Sequence, residues 1–178
     1  MMFRRVIAVT ILVVIAGCST GTESTDTHTL WHKVPAPVVT DETDEVIVTN
    51  SRIADGTYWT WAERLLGTET IVFHVAMARF GATCEAWAKE NRMQEGCMDD
   101  YAVDQFQTAL VGISDAARVT VAFQDGPGTS YEINTSLLKM LMAGTATSPI
   151  SKYHWVPFPF ISRIKNNTVV EAQQMWVP

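Results

Sequence analysis

The stretch TETIVFHVAMARF at residues 68–80 decides how the rest of the chain is read. Ile71, Phe73, Val75 and Met77 alternate with Val72, His74 and Ala76, a two-residue period that belongs to a β-strand. Both alternating sets are fairly apolar, so this strand is expected in the middle of a sheet. His74, set inside that apolar run, is expected to be a core histidine hydrogen-bonded to backbone.

Outward from this strand most signals are also β. In GTYWTWAERLLG, residues 56–67, Trp59 and Trp61 share one face and Tyr58 takes the other. ARVTVAF, residues 117–123, alternates cleanly, with Val119, Val121 and Phe123 inward and Arg118 and Thr120 outward. QDGPGTS supplies turn chemistry before a short YEI strand. The segment FPFISRIKNNTVVEAQQMWVP reads as a hairpin turning on Asn166-Asn167, residues that tolerate the positive φ of a tight turn. Pro157 and Pro159 place its first strand, at least at the start, on a sheet edge.

Two helices interrupt the strands. CEAWAKENRMQEGC holds good helix formers from Glu85 to about Met93, closed by Gly96, with Cys84 and Cys97 at its ends. NTSLLKMLMAG opens on Asn134 as N-cap and stops at Gly144; it is apolar nearly all round and is expected against the sheet. The fold class is α+β, mainly β: a small curled antiparallel sheet or barrel with two short helices, an OB-like five-stranded barrel being one specific form. Such a fold would not identify a function.

The N-terminus carries an address. Residues 1–17, MMFRRVIAVTILVVIAG, place Arg4 and Arg5 before an apolar run from Val6 to Ile15, the build of a secretory signal peptide. Ile15-Ala16-Gly17-Cys18 resembles the bacterial lipobox, in which the cysteine thiol is acylated and becomes the first mature residue. Two acyl chains on one glyceryl group anchor stably where one would not. Cys18 is therefore the expected lipidation site, and the protein an extracytoplasmic, lipid-anchored component of a bacterial cell envelope. With Cys18 assigned, Cys84 and Cys97 remain as a pair, outside the cytoplasm where disulfides persist.

Residues 18–45 read as an acidic tether containing Ser, Thr and Pro; between residues 19 and 50 six acids face one lysine. Residues 46–178 are then the disulfide-stapled, mainly β domain. The whole chain carries 13 Lys and Arg against 19 Asp and Glu, a net charge of −6. With no basic cluster, nucleic acid is not an expected partner, nor is electrostatic docking on anionic lipid.

Four pieces together carry a resemblance: the Cys84/Cys97 pair followed by DDYAV (residues 99–103), HWVPFPF (154–160), the hairpin after it, and the ending VVEAQQMWVP (169–178). They are similar to a group of secreted or lipid-anchored actinobacterial proteins with a C…DY…V segment and a PFPF…QIWVP tail. The match spans roughly residues 55–178. Met175 stands where the group has isoleucine, and Met98-Asp99 where a more Asn-rich step is expected. The resemblance implies an envelope location and one domain, with no activity and no catalytic residues to carry over.

Chemistry-bearing patterns are sparse. His28, His32, His74 and His154 are scattered, without metal-ligand spacing, and no metal or other cofactor is expected. Glu95, Asp99, Asp100 and Asp104 cluster near the disulfide and offer oxygen ligands, but no calcium-loop pattern frames them. There is no G-x-S-x-G or S-x-x-K, and Gly126–Gly128 is a turn and not a phosphate cradle. Aromatics are many for one small domain. Most are expected to fill the core, with Tyr58, Trp59, Trp61 and Trp155 the candidates for an exposed binding surface, joined by Asp100. The reading is a non-enzymatic binding or interaction domain for an envelope protein or small molecule. An extracytoplasmic hydrolase or modifying enzyme is the alternative.

Overall fold

Residues Thr70–Phe80 form the central strand that their alternation predicts, paired along both edges. The computed structural model describes residues 31–38, 42–93, 96–97, 101–122, 129–146, 155–157 and 159–175. In chain order these hold β1 (His32–Pro35), β2 (Val48–Thr49), β3 (Arg52–Ile53), β4 (Gly56–Leu66), β5 (Thr70–Phe80) and α1 (Gly81–Glu90). Then come β6 (Tyr101–Ala122), β7 (Thr129–Ile133), α2 (Thr135–Met142), β8 (Phe160–Lys165) and β9 (Thr168–Gln174).

Seven strands make one sheet in the order β1-β7-β6-β5-β4-β8-β9, and β9 also runs parallel to the second half of β6. The pairing therefore circles through β4, β5, β6, β9 and β8 back to β4. The return is interrupted: Ile113 faces Val169 and the next pair is Arg118 with Glu171, so four residues of β6 stand against one of β9. The molecule is thus a curled, mainly antiparallel sheet and not a closed barrel, with a strand order that is OB-like and partly open. Further bulges at Ala62/Arg64, Val75/Met77 and Arg163/Ile164 supply the curl, because each extra residue bends and twists its strand.

The inner face of the curl holds the main core. Ile71, Phe73 and Val75 of β5 meet Val111, Val119 and Val121 of β6 and Ile164 and Val169 of the last hairpin. Leu137, Leu138 and Leu141 of α2 pack onto the same core. α2 forms as its sequence predicts: the Asn134 Oδ1 accepts from Leu137 N at 2.8 Å, and Gly144 ends it at φ +67°.

The β8–β9 hairpin turns on Asn166 and Asn167 at φ 51° and 58°, as expected. Asn167 does more than turn. Its Oδ1 accepts from Ile53 N at 2.9 Å and its Nδ2 donates to Leu110 O at 2.8 Å, pinning the β2–β3 hairpin beside β6. Where β4 leaves β5 for β8, residues 43–44 fill the gap. Thr43 N donates to Ala78 O and Thr43 Oγ1 accepts from Ala78 N, while Asp44 N donates to Thr57 O and Asp44 Oδ2 accepts from Thr57 N.

Several expectations are corrected. β1 lies in the segment read as tether: Trp31 is buried against Tyr131, ring centroids 5.8 Å apart, and His32–Pro35 pair with β7. α1 starts four residues before Glu85 and ends at Glu90, because the Thr83 hydroxyl and the Phe80 backbone close its first turn. β8 is not an edge strand. It begins after both prolines and pairs with β4 and β9. β6 runs 22 residues, well beyond the 117–123 stretch whose alternation announced it. The Cys84–Cys97 disulfide is formed, with Cα atoms 5.8 Å apart. Residues 1–17 and Cys18 lie outside the described residues, as do Phe123 and Asp100.

Candidate functional site

A second cluster occupies the outer face of the sheet, and it leads to the site. Trp59, Ala76, Ala78, Phe80 and Ile161 are buried there, with Trp61, Tyr101, Val103 and Met175 packed around them. Trp59 stacks with Tyr101 at 5.2 Å and meets Trp61 edge-on at 5.6 Å. Toward the other end of β5 this face opens. Trp61 is only half-buried, Leu110 is 39% exposed, and Phe106 is 62% exposed.

The β-bulge on β6 aims Phe106 outward. Val75 pairs with Gln107 and Met77 with Asp104, so Gln105 and Phe106 together oppose Ala76. Gln105 absorbs the extra residue at φ +57°. Ala76 is small, which lets Trp61 of β4 reach over β5 and stack on Phe106 of β6, centroids 6.0 Å apart and planes 27° from parallel.

Beside this pair runs a polar row. Trp61, His74 and Thr108 are register partners across β4, β5 and β6. Thr108 Oγ1 lies 3.4 Å from His74 Nδ1, and His74 Nε2 lies 3.2 Å from Glu63 Oε2. Glu63 sits in the β4 bulge and is also gripped by Arg64. His74 is therefore a half-exposed surface residue and not the core histidine expected, because the apolar cover of the outer face stops short of it. Hydroxyl, imidazole and carboxylate in a row are three of the parts of an acyl-transfer centre. Such a centre also needs donors converging on an oxyanion, and this row lies on an open sheet face.

The expected binding residues divide. Trp61 belongs to the exposed face. Tyr58 and Trp59 do not: both are fully buried, Tyr58 in the inner core and Trp59 in the outer cluster. Alternation assigns their opposite faces correctly but does not reveal that both faces are covered there. The Tyr58 hydroxyl donates to Ala54 O at 3.1 Å; its burial, and then the nearby Asp44 and Asp55 carboxylates, raise its pKa above the usual 10.0. Trp155 is half-buried against the inner core. Of the acids near the disulfide, Glu95, Asp99 and Asp100 lie outside the described residues. Asp104 is engaged by Arg79 at 3.0 Å, whose guanidinium also lies 5.3 Å over the Trp87 ring. Among the described residues no three His, Cys, Asp or Glu side chains gather to hold a metal.

Sequence alone does not single out Phe106, Glu63 or Thr108. DQFQTAL alternates from Phe106 to Leu110, but the polar Asp104, Gln105 and Gln107 dilute the apolar pattern that marks a strand.

Among the described residues, other exposed large apolar side chains are Val38, Ile47, Leu66, Met93 and Met140. The outer face of the β8-β9-β6-β7-β1 wing carries a cross-strand row of alternating charge. Arg163 binds Glu171 at 3.0 Å, Arg118 faces Glu171 in register and binds Glu132 at 3.1 Å, and His32 faces Glu132. An open cleft of about 310 Å³ lies between this row, residues Asp115–Ala117 and Asn134. Under α2, the apolar void between Leu138, Met142 and the inner sheet is about 10 Å³, too small for a ligand.

No family model, curated protein or solved structure matches the chain.

Proposed function

We propose that this chain is a lipid-anchored, extracytoplasmic protein of a bacterial cell envelope that works by binding, through the open part of its outer sheet face. The signal-like residues 1–17 and the lipobox-like Ile15–Cys18 support the address, as does the resemblance to the actinobacterial group. The observation that carries the binding role is Phe106, held 62% exposed by a bulge and stacked on Trp61. A large aromatic ring kept in water by dedicated backbone geometry costs free energy that a partner can recover.

The test uses the full chain in cells fed a clickable fatty acid, with a photo-crosslinking phenylalanine at position 106 or, as control, at Arg163. Label on the wild type that Cys18→Ser loses establishes the anchor. Crosslinks from 106 and not from 163 establish the binding face. An envelope-retained protein with no adduct at 106 overturns that face.

A second reading, an extracytoplasmic hydrolase, draws on the Thr108–His74–Glu63 row. Ester hydrolysis that disappears with Thr108→Ala would replace the binding role.

A further inference from the structure

We infer that the open face built from Trp61, Phe106, Glu63, His74 and Thr108 is a platform for a neutral sugar ring of a glycan chain. The inference rests on the binding reading above and gives that site its ligand chemistry.

A pyranose has an apolar C–H face and a polar equatorial rim, and this site offers one surface for each. The face of Phe106 turned away from Trp61 is a flat apolar seat, and Trp61 behind it limits its tilt. One rung along the strands, Thr108, His74 and Glu63 form a row of donors and acceptors, each tied to its neighbour and so held in place. A carboxylate that accepts from two hydroxyls at once is the strongest such partner for a diol. Glu63 is also gripped by Arg64, which helps to fix its carboxylate in place.

Other occupants fit less well. Among the described residues the apolar seat is three side chains, Trp61, Phe106 and Leu110, whereas a stable protein interface takes roughly 20–30 residues a side. A polyanion would meet a chain of net charge −6. A bilayer would take Phe106 but would strip water from the Thr108–His74–Glu63 row beside it, a cost that a hydroxyl-bearing ligand does not impose.

The test is titration of the full-length lipidated protein, in a detergent without a sugar headgroup, with maltohexaose, cellohexaose and chitohexaose. Tryptophan fluorescence reads saturation. We expect at least one to bind with a Kd of about 1 mM or tighter. Phe106→Ala and Glu63→Gln should each weaken it about tenfold, and Arg163→Ala should leave it unchanged. Glu63→Gln keeps size and shape, so a folding defect in one variant does not spoil the comparison. No saturation with any of the three, or equal binding by Phe106→Ala and Glu63→Gln, overturns the sugar platform. If crosslinks from position 106 to a protein persist in that case, the binding role survives without the sugar. If they are absent too, both fall.

Discussion

Phe106 and Trp61 touch across the full width of β5, two strands apart, because Ala76 between them is small and a bulge turns Phe106 outward. The same outer face holds Trp59 under full cover a short distance away. Two aromatics on one strand, Trp59 and Trp61, thus have different fates, one as packing and one as surface.

That difference has an energetic signature. Trp59→Ala should cost about 3–5 kcal/mol, the range for emptying a large buried aromatic site. Phe106→Ala should cost about 1 kcal/mol or less, since the ring is 62% exposed and its stacking on Trp61 is the aromatic packing lost. Urea unfolding of the two variants checks both values, and similar costs would mean that Phe106 is core.

Asn166 and Asn167 look interchangeable in sequence but not in the fold. Both sit at positive φ, which glycine accepts. Asn166→Gly should change stability by no more than about 0.5 kcal/mol. Asn167→Gly removes the bonds to Ile53 N and Leu110 O and should cost about 2 kcal/mol. Faster hydrogen exchange at Ile53, but not in α2, would localise the effect.

The Cys84–Cys97 bridge closes a loop with a sequence separation of 13. Replacing both cysteines with serine should lower unfolding free energy by about 3 kcal/mol on the loop-entropy estimate. Denaturant melts of the double variant and of the oxidised wild type give the comparison. No change in midpoint would mean that the loop is already held by its packing.

Tyr58 sets an alkaline limit. Its pKa is raised in the folded state, so above about pH 10 the unfolded chain loses this proton while the folded chain keeps it. The unfolded state then binds fewer protons, and stability falls with rising pH from that point until the folded group also ionises. Below pH 10 the contribution is fully present. Tyr58→Phe should flatten the alkaline fall of wild type by one proton, read from melts at a series of pH values.

Much of the fold is legible because its signals are local. The alternation around Phe73, the Asn134 cap, Gly144 and the Asn166-Asn167 turn each act within a few residues, and all four form as read. β6 is half-hidden because bulges at Gln105 and at residues 114–117 break the two-residue period that betrays a strand. The candidate site is legible only at Trp61. Which aromatic stays uncovered depends on what packs over each face, and Tyr58 and Trp59 show that residue type does not decide it. His74 fails for the same reason in reverse. Its strand is central and apolar, but the cover above its outer face ends before it.

β1 changes how far the domain can stand from its mooring. With a lipid on Cys18, as proposed, only thirteen residues lead to Trp31, where the chain is already gripped by the sheet. Even fully stretched, that leash reaches about 45 Å. A leash running to Val46 would have reached about 100 Å. So anchored, the domain would be berthed in the layer nearest the bilayer, and anything it met would have to come down to that depth.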